Sequence, residues 1–112
     1  MLRVPHPPML YGQRARQLAA ESSTVVLQPI ISVASGELVA AEALTRFTRS
    51  RLAPDAMIAN AHANGRGGAL EAALITSALA ARDRLPAGIL LSVNVSPAAL
   101  LHPAVRAVLD TY

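Results

Sequence analysis

Apolar residues recur at two spacings along the chain, and the shorter spacing marks strands. Residues 24–30 are β-branched and apolar, which predicts a strand, and Pro29 favours an edge position because proline cannot donate to a ladder. Residues 37–46 are a second predicted strand, with a turn signal at Ser35-Gly36 between the two. This short connection predicts an antiparallel pair, since parallel strands need a crossover of about a dozen residues or more.

Helical patterns occupy much of the remaining chain. Pro7-Pro8 opens a predicted helix over residues 9–20, and a short helix is predicted over 52–64. We expect Gly67-Gly68 to break the chain. The i, i+3, i+4 spacing of apolar residues then predicts a long helix over 69–85.

A third predicted strand, over residues 89–95, follows the long helix. Ser96 and Pro97 suit the N-cap and first position of another helix, which His102-Pro103 interrupts before the periodic segment 105–109. A helical crossover joins strands two and three, so we expect them to be parallel. The order predicts an α/β fold resembling a partial (β/α) barrel, with three strands where such a barrel has about eight.

The amino-acid composition excludes or disfavours several classes of protein. The 112 residues are 53% apolar with a mean hydropathy of +0.39, which suits strands buried on both faces or a piece of something larger. Three scattered aromatic residues and a net charge of +3 disfavour a nucleic-acid partner. Cysteine is absent, which excludes disulfides and thiolate metal sites. No apolar run reaches the roughly 18 residues of a membrane span, and we expect a cytoplasmic location.

Polar side chains interrupt the apolar pattern toward one end of each predicted strand. Alternate strand residues share a face, which groups Leu38, Ala40, Glu42, Leu44 and Arg46 in strand two, and Leu90, Ser92, Asn94 and Ser96 in strand three. With the hairpin turning at Ser35-Gly36, Gln28 lies across from about Ala43, level with Glu42 and Leu44. In (β/α) barrels the C-terminal end of the strands carries the active site, so these polar groups are candidate site residues.

Four blocks in this order resemble the EAL domain family. Glu42-Ala43-Leu44 followed by Thr45-Arg46 is similar to its E-A-L-x-R signature, and Gln28-Pro29-Ile30 to its Q-P-I segment. Residues 91–97 resemble its L-S-V-N-V-S-P strand, and Pro54-Asp55 with Ile58 its intervening segment. We expect residues 1–20 to be an N-terminal tail and helix, and the resemblance implies that 21–112 are an incomplete EAL domain.

The resemblance also implies an activity, the hydrolysis of cyclic di-GMP to a linear dinucleotide with two divalent ions, Mg²⁺ or Mn²⁺. It assigns Glu42 and Asn94 as metal ligands, Arg46 as a phosphate contact, and Gln28 and Leu44 as lining of the nucleotide pocket. None of the chain's residues is assigned a catalytic role. Carboxylate and amide oxygens suit hard cations, and the planar fork of arginine matches phosphate.

Several groups that the family uses are missing from this sequence. The family's remaining acidic ligands and its lysine come from later strands, whereas this chain has no lysine and only Asp110 as an acidic residue after Asn94. We therefore expect no two-metal centre with Glu42 and Asn94 alone, and an inactive isolated chain. His62 stands where members usually have glutamate, which puts local loop packing in doubt more than the metal site.

Structural roles are the alternative for each candidate. Glu42 and Arg46 are four strand residues apart, about 13 Å at ~3.3 Å per residue, too far to pair directly. Asn94 and Gln28 are alternatively hydrogen-bonded strand residues, and Leu44 is a core residue.

The remaining charged groups have ordinary interpretations. His6, His62 and His102 lack metal-site spacing and are interpreted as loop or helix-end residues. Arg49 and Arg51 either add positive potential near an anionic substrate or lie in a solvated loop.

Three functional classes follow. The chain is a portion of a phosphodiesterase, or a degenerate EAL module that binds cyclic di-GMP or a protein partner without catalysis, or a fragment without function. An open three-stranded segment exposes strand edges and an apolar face, so we expect the isolated polypeptide to be unstable or to self-associate.

Overall fold

The computed structural model describes residues 23–48 and 53–112, and these form a three-stranded sheet with helices packed on one face. The strands are β1 (Ser23–Ile31), β2 (Leu38–Phe47) and β3 (Leu90–Val93). The helices are α1 (Pro54–Ala63), α2 (Gly67–Ala80), α3 (Pro97–Leu100) and α4 (Pro103–Asp110), and a 3₁₀ turn (Ala81–Arg84) follows α2. The predicted helix over 9–20 lies outside the described residues, as do His6, Arg49 and Arg51.

The first two strands form the predicted antiparallel hairpin, but their register differs by one residue from the prediction. Gln28 lies opposite Glu42 rather than Ala43. The turn is closed by the amide of Ser32 donating to the carbonyl of Glu37 at 2.9 Å, so its centre is one residue earlier than expected. The register then shifts where Ile30 pairs with Ala40 and Ile31 with Leu38, leaving Val39 as an extra residue. Gln28 and Glu42 consequently share one face of the sheet.

The order β1-β2-β3 places β1 at an edge of the described sheet, as Pro29 indicated. Arg84 donates a hydrogen bond from Nη2 to the carbonyl of Val25 in this strand at 3.1 Å. Val25 and Pro29 are four residues apart, so their backbone groups point the same way, and the missing N–H of Pro29 costs no ladder bond.

Strand β3 pairs in parallel with β2, which confirms that prediction. The ladder runs from Ala40 opposite Leu90 to Ala43 opposite Val93, so the strand ends two residues before the predicted end. The face alternation expected to include Ser96 ends with it, because the Ser96 side chain bonds to α2 instead.

The expected chain break at Gly67-Gly68 is wrong, since these glycines are the first two residues of α2. The reversal occurs at Gly65, whose φ of +72° suits a residue without a Cβ. The ring of His62 lies against Gly67 and that of His102 against Gly68, where an added Cβ would collide with them. The glycines therefore serve a close approach of side chains.

The core lies between α2 and one face of the sheet. One cluster contains buried residues from α2, α3 and α4, namely Ala72, Ile75, Leu79, Ala99 and Val105, against which Leu91, Val93 and Val95 pack. A second contains Leu70 and Leu74 of α2 with Phe47 and Ile58. The other face of the sheet, called the open face below, carries the even-numbered residues of β1 and β3 and those of β2 from Ala40 onward. The extra residue Val39 places Leu38 opposite Ile31, so the prediction that Leu38 shares the face of Glu42 is wrong.

Candidate functional site

A row of polar side chains crosses the open face. Gln28 of β1 and Glu42 of β2 are cross-strand partners, and Glu42 is in turn partnered by Ser92 of β3. Asn94 follows Ser92 by two residues, just beyond the end of the strand. The pairing of one antiparallel and one parallel neighbour thus brings three of the five predicted site residues, Gln28, Glu42 and Asn94, into one row.

Glu42 and Asn94 contact each other directly. The Asn94 side-chain amide donates from Nδ2 to Oε1 of Glu42 at 3.0 Å, across 52 residues of sequence. This bond does not engage Oε2 of Glu42 or Oδ1 of Asn94. Carboxylate and amide oxygens are the donors that Mg²⁺ and Mn²⁺ prefer, so this pair fits a divalent cation as two of its ligands.

Leu44 and Arg46 lie further along the same face of β2. Leu44 is half-buried opposite Val26, and Arg46 is exposed opposite Thr24. The guanidinium of Arg46 donates from Nη1 to the carbonyl of Thr45 at 3.3 Å, and it forms no ion pair with Glu42 among the described residues. This separation agrees with the expectation that the two charges do not pair directly.

Glu71 is a polar residue near this site that the sequence interpretation missed. It lies on α2 with only 3% of its surface exposed, the one buried charged residue in the described part of the chain. It accepts hydrogen bonds from the Ser96 amide at 2.8 Å, from the Ser96 hydroxyl at 2.5 Å, and from Nε2 of His62. The sequence does contain a signal for this residue, because a single glutamate interrupts the apolar pattern of the predicted helix.

Two opposing effects act on the Glu71 carboxyl. Burial by itself raises its pKa. The hydrogen bonds from the Ser96 hydroxyl, His62 and the Ser96 amide, with the positive charge that His62 carries when protonated, hold the pKa below its ordinary value of 4.5. Glu71 is therefore a buried carboxylate kept ionised by its partners.

The histidines of the described region lie at helix ends, as expected. His62 is in the last turn of α1, and its bond to Glu71 supplies the local packing that the departure from glutamate had put in doubt. His102 is the N-cap of α4 and accepts from the Ala104 amide at 3.1 Å.

A cavity of about 320 Å³ lies between the sheet and helices α1 and α2. Its lining is mainly apolar and includes Arg46, Asp55, Glu71 and Asn94. Glu71 and Asn94 thus border the same space, one from the helix layer and one from the end of β3.

None of the helices in the two described ranges combines the length and the apolar character needed to cross a bilayer. Within residues 23–48 and 53–112, no three or more histidine or acidic side chains are grouped so that they could hold a metal ion.

Comparison with known proteins agrees with the motifs on the open face. The family model of the EAL domain matches residues 12–111, nearly the whole chain. A search of curated proteins gave no match. EAL domains use divalent metals and bind cyclic di-GMP. The chain therefore belongs to the EAL domain family, the family of cyclic di-GMP phosphodiesterases.

Proposed function

We propose that the open face forms one part of a site at which cyclic di-GMP is hydrolysed to a linear dinucleotide. The observation that carries this proposal is the 3.0 Å bond between Asn94 and Glu42, in one row with Gln28. Two oxygen-bearing side chains, one from β2 and one from just beyond the end of β3, meet on an exposed face, in a chain of the EAL family.

Glu42 and Asn94 are the proposed ligands of a divalent cation, Mg²⁺ or Mn²⁺. Glu42 supplies the negative charge, and Asn94 supplies a neutral oxygen and holds the carboxylate through its Nδ2. When bound, divalent cations of this kind activate the attacking water and stabilise the leaving oxygen. The pair offers only part of the six or more oxygen ligands that such a cation takes.

The dinucleotide is proposed to lie along β2, beyond the metal ligands. Arg46 is exposed and four residues past Glu42, where its guanidinium can bind a phosphate in a fork. Leu44 lies between them and offers apolar contact to a guanine base, and Gln28 offers an amide to a base edge or ribose hydroxyl.

The sheet is proposed to be the first section of an EAL-type (β/α) barrel, with the open face lining its interior. The antiparallel β1, the parallel β3 and the helical crossover between β2 and β3 support this assignment. Residues 21–112 are then the incomplete domain and 1–20 a preceding tail and helix. We propose that these 112 residues alone do not hydrolyse the dinucleotide, because Glu42 is their single acidic ligand.

Calorimetry with cyclic di-GMP, with and without Mg²⁺, tests the proposal. We expect weak binding that Mg²⁺ strengthens and that Arg46→Ala removes, while Arg106→Ala, an equal change of charge at an exposed position of α4, leaves it intact. Binding unaffected by Arg46→Ala would contradict the assigned site. Formation of linear dinucleotide by the isolated chain, abolished in Glu42→Gln, would overturn the proposed inactivity.

A second candidate function is a degenerate module that binds cyclic di-GMP or a protein partner without catalysis. Apolar side chains on the same open face favour it, since Val26, Ile30 and Leu90 are 45%, 41% and 73% exposed. Exposed apolar groups on a sheet face attract another chain, including a second copy of this one. Dinucleotide binding that is independent of Mg²⁺, or a defined oligomer in sedimentation, would favour this function.

A further inference from the structure

We propose that Glu71 is a positioning residue, which fixes the segment after β3 and thereby holds Asn94 beside Glu42. The role assigned to Asn94 rests on the proposed function, but the placement of Asn94 by Glu71 does not. Glu71 touches neither Glu42 nor the proposed ligand atoms, so its action passes through Ser96.

The contact between Glu71 and Ser96 is made at two points. Oε1 of Glu71 accepts from the Ser96 backbone amide at 2.8 Å, and Oε2 accepts from the Ser96 hydroxyl at 2.5 Å. Bonds to an ionised acceptor are stronger than neutral ones, and two parallel bonds also restrict orientation. The carboxylate therefore fixes both the backbone and the side chain of Ser96.

The segment between β3 and α3 depends on this contact. The ladder with β2 ends at Val93, so residues 94–96 lie beyond the regular strand pairing. Val95 packs on the core cluster, and Ser96 caps α3 by accepting from the Ala99 amide at 3.2 Å. Asn94 is thus held by Glu42 on one side and, two residues later, by the anchored Ser96 on the other.

His62 completes the arrangement without forming a hydrolytic triad. In a triad the two ring nitrogens of histidine serve different partners, the nucleophile and the acid. Here the Ser96 hydroxyl, at 3.4 Å, and Glu71 both approach the same nitrogen, Nε2. Because an ionised carboxylate can only accept, His62 donates to Glu71 from this nitrogen. The ring fits here because Gly67 has no side chain.

The test compares amide signals of the metal-free 112-residue chain and its variants by NMR. Asn94 is one of three asparagines, with Asn60 and Asn64, so its side-chain amide is readily identified. Glu71→Gln removes the negative charge and replaces one of the two acceptor oxygens with a donor, which weakens the two-point contact with Ser96. We therefore expect the Ser96 amide to exchange about tenfold faster or more. The Asn94 side-chain amide should also shift toward its position in Glu42→Ala.

Three further variants keep the test decisive. Leu70→Val removes a methylene group from the same helix, in the cluster with Phe47 and Ile58, and should leave the Asn94 amide unmoved. Ser96→Ala should shift the Asn94 amide as Glu71→Gln does, whereas Ser96→Thr, which keeps the hydroxyl, should leave the signal at its wild-type position. This pair of variants tests the proposal if Glu71→Gln does not fold.

An unmoved Asn94 amide in a folded Glu71→Gln or Ser96→Ala variant would overturn the proposal, as would an equal shift in Leu70→Val. Failure of the dinucleotide to bind wild-type protein would remove the proposed function and leave this comparison standing.

Discussion

The two faces of the sheet are built from the same three strands, yet they differ in burial and in polarity. On the helix-covered face, β2 presents Ala41 and Ala43, which are buried against α2 and its neighbours. On the open face, alternate positions of the same strands carry Gln28, Glu42 and Asn94 together with exposed apolar groups such as Leu90. One face therefore provides the core, and the other carries the proposed site.

The contrast explains why small residues and polar residues alternate along β2. Small alanines let α2 approach closely on one face, whereas Glu42, Leu44 and Arg46 project from the other. Substitutions on the covered face should mainly change stability, and those on the open face mainly binding. Glu71 is the exception, because it lies in the helix layer but acts on the end of β3.

The largest expected effect is on the covered face. Ile75→Ala removes a side chain that is 2% exposed and should lower the free energy of unfolding by about 2–5 kcal/mol. Leu90→Ala, on the open face, should change it by no more than about 0.5 kcal/mol. Urea unfolding followed by circular dichroism measures both, and equal losses would refute the assignment of the core to one face.

A smaller loss of stability is expected at the buried carboxylate. Glu71→Ala leaves the Ser96 amide and His62 without their acceptor and should cost about 1–3 kcal/mol. Glu42→Ala, on the open face, serves as the matched control and should stay within about 0.5 kcal/mol. Urea unfolding measures both changes. A loss of stability in Glu42→Ala as large as that in Glu71→Ala would contradict the difference between the two faces.

A pH dependence should accompany the lowered pKa of Glu71. Such a carboxylate stabilises the folded state above the ordinary value of 4.5, and this contribution is lost as the pH falls through the folded-state pKa. We expect the urea midpoint to fall between about pH 6 and about pH 3, and to fall less in Glu71→Gln. Identical pH profiles for the two proteins would show that Glu71 does not carry this effect.

The smallest effect on stability is expected for charges placed on the open face. Leu90→Lys and Val26→Lys should increase the monomer fraction in sedimentation while changing unfolding by no more than about 0.5 kcal/mol. The reason is that both side chains are exposed and only association would cover them. Unchanged association in both variants would place any contact between copies elsewhere.

Much of the architecture was predictable from local pattern. The turn signal at Ser35-Gly36 and the proline at position 29 indicated an antiparallel hairpin with β1 at the edge, and the helical crossover indicated a parallel β3. These follow from chain connectivity, which the order of elements already contains. The EAL motifs likewise indicated the family, and the family model that matches residues 12–111 confirms it.

Other features depend on contacts that a local pattern does not contain. The extra residue Val39 sets the hairpin register, and only the pairing of both strands reveals it. Gly67 and Gly68 lie within α2, where two histidine rings from other segments pack against them and leave no room for a Cβ. The role of Glu71 depends on Ser96, which is 25 residues away in sequence.

The most direct test of the account is whether a divalent cation binds at Glu42 and Asn94. Mn²⁺ broadens NMR signals of nearby nuclei, so even weak binding is detected and located. We expect the side-chain amides of Asn94 and Gln28 to broaden at Mn²⁺ concentrations that leave Asn60 sharp. This selectivity should be lost in Glu42→Gln and kept in Glu37→Gln, a matched change in the exposed hairpin turn. Unchanged selective broadening in Glu42→Gln, or equal broadening of all the amides in the wild-type chain, would contradict a metal site on the open face.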